Sequence, residues 1–239
     1  GVKLARTQED LNAALAAFPR NTPLVLQQLI TYPHEAGIFY IRHPDQPQGI
    51  ISSLTYKDIP SLTGNGQDTV LDLLKQDPRT QLLLPLYTPR LERRLNEVLQ
   101  KGETLDLVFT GNHCKGAVFR NGADDITPAL THQIDAIMQD IPDFHFGRID
   151  VKFENVDALR RGENFEIIEI NGVGSEAIHI WDRSTTLKEA YATQFFHYGE
   201  TFRIGAKKRA AGWKPCGLWY GVRLWRRQKR LLASYPMND

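Results

Sequence analysis

Two segments of alternating polar and apolar residues constrain the fold of this chain most strongly. Residues 146–153 read FGRIDVKF and residues 165–170 read FEIIEI, with a polar connection between them. Alternation of this kind is typical of β-strands whose two faces meet different surroundings. Elsewhere strands and helices mix without a regular βαβ alternation, and short turns join several strand pairs. The sequence therefore predicts an α+β fold on a largely antiparallel sheet flanked by helices.

The remaining elements follow from local patterns. Apolar residues at helical spacing, preceded by a capping residue or proline, predict helices, and runs of β-type residues bounded by turns predict strands. The predicted helices are residues 8–18, 69–75, 91–99, 128–141 and 218–233, and the further strands are 24–30, 38–41, 50–54, 105–110 and 117–119.

Composition excludes several classes of protein. The 239 residues are 41% hydrophobic, which suits one large domain or two lobes and excludes collagen-like, coiled-coil and wholly disordered chains. No apolar run approaches the roughly 18 to 20 residues of a membrane span, and no signal segment opens the sequence. Cys114 and Cys216 fit no metal-binding spacing and are expected to be free thiols. These features predict a cytoplasmic protein.

The polar faces of the two alternating strands carry the chemistry. Arg148 and Asp150 share one face of the first strand, and Glu169 and Asn171 share one face of the second. Carboxylate and amide oxygens suit Mg²⁺, and an arginine beside them suits phosphate oxygens. A single strand of this kind is more often a half-exposed surface strand, but two such strands followed by the turn residues Gly172 and Gly174 favour a site for a metal-bound polyphosphate.

These motifs resemble the metal-binding signature of the ATP-grasp enzymes, a superfamily that includes the D-alanine–D-alanine ligases. R-x-D on one strand and E-x-N before a glycine turn on the next are the shared residues. Upstream, the segment VLQQLI at 25–30, with Glu35 before IFYI, is similar to the linker between the two ATP-grasp lobes. The loop 111–116 resembles the family's asparagine-containing loop near the phosphates.

The resemblance implies a role for each matching residue. Asp150 would bind one Mg²⁺ (or Mn²⁺), Glu169 would bridge two, and Asn171 would bind the second. Arg148 would contact the transferred phosphate. ATP would be held by the remaining residues: Glu35 at the ribose, Gln27, Gln28, Leu29 and Ile30 around the adenine, and Asn112 and Lys115 near the phosphates. Gln27 stands where many relatives have an acid.

The reaction that the resemblance implies is ligation. ATP converts a small-molecule carboxylate to an acyl phosphate, which an amine or similar nucleophile then attacks. The family pattern also implies three regions: a remnant of the small lobe at 1–23, the C-terminal lobe with the metal and nucleotide site at 24–190, and a basic helical tail at 191–239. Lys3 resembles the end of a glycine-rich phosphate loop, so the lysine strand and N-terminal domain of the family are expected to lie outside this sequence.

The tail differs electrostatically from the rest of the chain. Residues 201–239 contain ten Lys and Arg residues against one acid, Asp239, whereas residues 1–200 carry an excess of acids. A helix at 218–233 would place Leu218, Val222, Trp225 and Leu232 on one face and Arg223, Arg226, Arg227 and Arg230 on another. Three interpretations remain open: a terminal helix packed on the lobe, a helix on an anionic membrane surface, and a contact with an acidic partner or nucleic acid, with nucleic acid the least favoured.

An alternative to the ligase therefore exists. The chain would then be a non-catalytic binding module derived from an ATP-grasp lobe, acting through its basic tail on a membrane surface or an acidic partner.

Overall fold

A computed structural model describes residues 2–109 and 111–236 of the chain. The described residues form two compact units. Leu29–Gly212 makes the larger unit, and the described parts of Gly1–Gln28 and Trp213–Asp239 make the smaller one. The three regions proposed from the sequence stay predictions.

The described residues contain seven strands and eight α-helices. The strands are β1 (His34–Ile41), β2 (Ile50–Asp58), β3 (Ser61–Thr63), β4 (Thr104–Asp106), β5 (Val118–Asn121), β6 (Phe146–Phe153) and β7 (Phe165–Asn171). The helices are α1 (Gln8–Ala17), α2 (Val70–Gln76), α3 (Pro78–Gln81), α4 (Leu84–Arg90), α5 (Pro128–Gln139), α6 (Val156–Arg160), α7 (Leu187–Ala210) and α8 (Leu218–Ala233).

A five-stranded sheet organises the larger unit. Its spatial order is β5-β2-β1-β6-β7, and each neighbouring pair is antiparallel. β3 and β4 form a separate two-stranded ribbon, which is also antiparallel. The predicted α+β class with a largely antiparallel sheet flanked by helices is therefore confirmed.

One face of the sheet forms the main core with α5. The alternation of β6 turns Ile149 and Val151 toward this face, where they pack with Leu130, Ile134 and Met138 of the helix. Thr127 caps α5 by accepting a hydrogen bond from the Leu130 amide, and Pro128 occupies the first turn. Because this face is apolar, the polar residues of β6 and β7 are left on the opposite face.

A second core lies around the ribbon of β3 and β4. Leu62 and Leu105 pack there with Val70 and Leu74 of α2 and with Tyr87 of α4. A capping box between Thr69 and Asp72 begins α2, as the sequence predicts. This cluster supports the loop 111–116, because the Tyr87 hydroxyl donates to the Lys115 carbonyl at 2.8 Å.

Helix α7 covers part of the polar face of the sheet. It begins with a capping box between Thr186 and Glu189 and runs for 24 residues. Its buried Ile204 packs against Phe39, Ile41 and Phe146. The sequence predicts a helical tail only from residue 191 and does not give this helix its bounds, because its apolar residues are spread around its circumference.

Three predicted elements are wrong in whole or in part. Residues 24–30 form no strand: Val25 is 88% exposed and has no neighbouring strand to pair with in the described chain. Residues 91–99 form mostly turns instead of a helix. The helix of this region is α4, which lies earlier in the chain and ends at Arg90. The strand predicted at 105–110 shortens to β4, and Thr110 lies outside the described residues.

The smaller unit contains α1 and α8, both of which the sequence predicts. Thr7 and Asp10 form a capping box on α1, and the Phe18 ring meets the Tyr235 ring edge-on at 5.7 Å. Neither helix has a buried residue. Among the described residues, no helix is both long enough and apolar enough to cross a membrane.

The fold makes stability depend on pH through His197. This ring is buried on α7 against the rings of Phe39 and Phe146; its Nε2 lies 3.1 Å from the Ser52 hydroxyl, and its Nδ1 has no partner among the described residues. Burial lowers the pKa of His197 from 6.5 to about 4. Because the unfolded chain takes up this proton near pH 6.5 and the folded chain does so only near pH 4, stability decreases as pH falls through that range.

We expect His197→Phe to weaken this pH dependence. Phenylalanine suits the surrounding rings and takes up no proton, so the variant removes a slope of up to about 1.4 kcal/mol per pH unit. Urea unfolding at several pH values between neutral and pH 4 measures the slope. The exposed His132→Gln is the matched control and keeps the wild-type slope; equal slopes for His197→Phe and wild type would contradict the prediction.

Candidate functional site

A buried ion cluster joins three neighbouring strands on the polar face of the sheet. The Lys57 ammonium on β2 lies 2.9 Å from Glu35 Oε1 on β1 and 3.1 Å from Asp150 Oδ2 on β6. All three side chains are at most 7% exposed. One lysine therefore holds two carboxylates in a setting where charges survive only when they are paired.

Arg148 adds a second cation to this cluster. Its Nε donates to Asp150 Oδ1 at 2.8 Å, and its Nη2 donates to Oδ2 at 3.2 Å. The same guanidinium donates through Nη1 to the Glu176 carbonyl at 3.3 Å. Asp150 is thus held by two cations, and the Asn171 amide also donates to its Oδ2, at 3.3 Å.

The strand register brings the predicted metal ligands together. Asp150 on β6 is paired with Glu169 on β7, and Arg148 is paired with Asn171. Directly paired residues of antiparallel strands project to the same face, so these four side chains lie on the face predicted from the sequence. Glu169 is exposed and makes no hydrogen bond or ion pair within the described chain.

The loop 111–116 meets the cluster through its first residue. The Gly111 amide donates to Glu35 Oε2 at 3.2 Å, and a Cβ on this glycine would lie 2.9 Å from Lys57 Cβ. Only a glycine allows the backbone to approach this closely. The predicted phosphate residues follow: Asn112 is exposed and caps a short 3₁₀ helix (His113–Lys115) by accepting from the Cys114 amide, whereas Lys115 is buried.

The predicted adenine residues are not all in the unit that holds the cluster. The boundary between the two units falls between Gln28 and Leu29, so Leu29 and Ile30 belong to the cluster's unit and Gln27 and Gln28 do not. All four lie in irregular chain. The adenine role of this segment stays a prediction.

Glu35 was predicted to lie in a turn and hold the ribose. In the structure it lies on β1, which begins at His34, and its two oxygens already accept hydrogen bonds from Lys57 and the Gly111 amide. Its place in the cluster is therefore set by protein contacts, and the ribose contact stays a prediction.

The oxygen ligands of this face fit Mg²⁺ or Mn²⁺ in their chemistry. Asp150 and Glu169 offer two carboxylates and Asn171 an amide oxygen, which is the ligand type that these hard cations take beside phosphate oxygens. The exposed Glu169 carboxylate is available to a cation, whereas Asp150 shares its oxygens with Lys57 and Arg148. Within 2–109 and 111–236, no group of three or more His, Cys, Asp or Glu side chains is arranged to hold a metal ion by itself.

Lys57 is the site residue that the sequence analysis missed. The strand predicted at 50–54 in fact continues to Asp58, and Ser53, Thr55 and Lys57 alternate along it. All three are buried. The alternation of these polar residues continues past Leu54 and was the sequence signal that could have extended the predicted strand to Lys57.

Comparisons with known proteins give little further information. No family model matches the chain, and no curated protein matches it. Among solved structures, it is similar to a bifunctional glutathione synthetase from Pasteurella multocida, with a TM-score of 0.41 and 12% sequence identity over 71% of this chain. The chain spans 25% of the length of that enzyme. A likeness at this level carries no argument about the activity of this chain.

Removing the central lysine tests how the cluster is held together. We expect Lys57→Met to lower the free energy of unfolding by about 3 to 5 kcal/mol, because the Glu35 carboxylate is left buried without a cation. The double variant Glu35→Gln with Lys57→Met removes both charges, and we expect it to recover part of this loss. Urea unfolding at neutral pH measures all three proteins.

The control is an ion pair of similar geometry in solvent. Arg161 lies 2.8 Å from Glu163, with both side chains more than half exposed, and we expect Arg161→Met to cost less than about 1 kcal/mol. A Lys57→Met protein as stable as Arg161→Met would contradict the buried pairing.

Proposed function

We propose that this chain is the metal- and nucleotide-binding lobe of an ATP-dependent ligase of the ATP-grasp type. In this proposal, ATP activates a small-molecule carboxylate as an acyl phosphate, and an amine or similar nucleophile then attacks the acyl carbon and displaces phosphate. The observation that carries the proposal is the convergence of Lys57, Arg148, Asp150, Glu169 and Asn171 from three strands on one face of the sheet.

The two cations would act on the phosphates. Lys57 is buried beside Gly111, and Arg148 offers a planar fork that pairs with two oxygens at once. Both are already fixed by Asp150, so little reorganisation is needed when a phosphoryl group arrives. Phosphoryl transfer depends mainly on such positioning and charge neutralisation and needs no protein nucleophile.

The three oxygen side chains would hold Mg²⁺, or Mn²⁺ in its place. Glu169 is the central ligand in this proposal because its carboxylate has no other partner in the described chain. Asp150 lies directly opposite it on β6, and Asn171 lies two residues further along β7. When bound, the metal supplies positive charge that neutralises the phosphate oxygens. The chain's own contribution is to keep these oxygens on one face and to hold Asp150 between Lys57 and Arg148.

Glu35 and Asn112 would complete the nucleotide contacts from the edge of the cluster. The Glu35 carboxylate pairs with Lys57 and accepts a hydrogen bond from the first amide of the loop 111–116. The exposed Asn112 and the residues after it are thereby kept close to the cations. Lys115 belongs to the same loop, where its carbonyl accepts a hydrogen bond from Tyr87, and its side chain would add positive charge.

Loss of the Glu169 charge tests the proposal. We expect the wild-type chain to bind ATP in calorimetry only when Mg²⁺ is present, and Glu169→Gln to weaken this binding by about a hundredfold. The reason is that changes even in residues that merely support metal ligands cost tenfold to a hundredfold in metal affinity. The matched control is Glu166→Gln, an exposed carboxylate on the same strand that is paired with Lys152 in register, and it should bind as the wild type does.

Two outcomes would count against the ligase. Equal ATP affinity for Glu169→Gln and wild type would contradict the metal role. Absence of ATP binding by the wild-type chain would favour the alternative, a non-catalytic module derived from the same lobe.

A further inference from the structure

Helix α8 places most of its charge on one side and an apolar stripe on another. Its 16 residues include five basic side chains and no acidic one. Arg223, Arg226, Arg227 and Arg230 lie along one side, and Leu218, Val222, Trp225 and Leu232 lie along another, since residues three or four apart share a helix face. No acid on the helix itself neutralises the basic side.

The apolar side of α8 is exposed in the structure. No residue of the helix is buried. Leu218 is 78% exposed, and Trp225 and Leu232 are each more than half exposed. Trp219, which is 82% exposed, lies with the arginines, because Arg223 follows it by four residues. Large apolar side chains concentrated in this way on one short helix indicate an interaction surface.

We propose that α8 binds the surface of a membrane that contains anionic lipid. The helix would lie in the plane of the interface, with Leu218, Trp225 and Leu232 among the upper parts of the acyl chains and the arginines at the lipid phosphates. Charge complementarity identifies this partner, because five basic residues on a helix that carries no acid complement a dense anionic surface. Tryptophan suits the boundary itself, where its ring is apolar and its N–H group meets water.

Lys229 fits this geometry although it lies on the apolar side, four residues after Trp225 and three before Leu232. Its Nζ is 4.4 Å from the centroid of the Trp225 ring. A lysine in this position extends along the ring toward the polar boundary, so its stem covers apolar surface while its charge stays near the headgroups. The pair therefore adds to the contact with lipid instead of opposing it.

A nucleic acid explains fewer of these features. The phosphates of a duplex would pair with the arginines, but the exposed Leu218, Trp225 and Leu232 would stay in water on the other side of the helix. A lipid interface satisfies both sides at once.

Vesicle co-sedimentation of the full chain tests the proposal. We expect binding to vesicles of phosphatidylcholine with phosphatidylglycerol, little binding to phosphatidylcholine alone, and a shift of tryptophan emission to shorter wavelength on binding. Arg226→Gln with Arg230→Gln should weaken partitioning about 25-fold, at about fivefold for each charge. Trp225→Ala with Leu232→Ala should weaken it about tenfold or more.

A matched control lies on α7, which also exposes large aromatic side chains. Phe195 and Phe202 are 74% and 76% exposed but belong to a helix that carries acids, and we expect Phe195→Ala with Phe202→Ala to bind vesicles as the wild type does. Because α8 has no buried residue, its variants should keep the wild-type unfolding transition.

The proposal is overturned by any of four results. The first three are absence of binding to anionic vesicles, α8 variants that partition within about twofold of the wild type, and binding to a DNA or RNA duplex that the same arginine variant abolishes while vesicles are not bound. The fourth is an equal loss of vesicle partitioning in the α7 control, which would show that any exposed aromatic residue promotes binding.

Discussion

The buried lysine between two carboxylates is the interaction on which the rest of the polar face depends. Lys57, Glu35 and Asp150 come from β2, β1 and β6, the three central strands of the sheet. With Arg148 these groups make two cations and two carboxylates, so the removal of any one of the four leaves an uncompensated charge. The set consequently fixes which side of each central strand faces the site, and it places Arg148 through its bonds to Asp150.

The opposite face of the sheet has a different task. Its apolar side chains pack on α5 and supply the burial that drives folding. This division allows the polar face to keep a costly arrangement of charges, since the larger apolar core lies on the other face. A chain with no task for this face would gain stability from apolar residues there, so the retained charges favour a binding role for them.

Sequence reasoning located the site through its two most regular strands. The alternation in β6 and β7 sufficed to place Arg148, Asp150, Glu169 and Asn171 on one face, because pairing preserves the side on which a residue projects. It could not locate Lys57, since a lysine near a strand end is ordinarily solvated, and only the tertiary neighbours Glu35 and Asp150 make it a buried bridge. The strand predicted at 24–30 is wrong because its β-type residues pair with no strand in the described chain, which local sequence does not report.

Helices were predictable where capping and apolar spacing agreed, and not where the apolar residues serve several surfaces. α5 meets both conditions: its cap, Thr127, and its buried residues on one stripe specify its start and its packing face. α7 has the same kind of cap but divides its apolar residues between the core and solvent, so its periodicity is weak although its 24 residues are well formed. α8 has strong periodicity and no buried residue. A periodic pattern therefore reports that a helix has two different sides, and it leaves open whether the apolar side meets the core of the same chain or another surface.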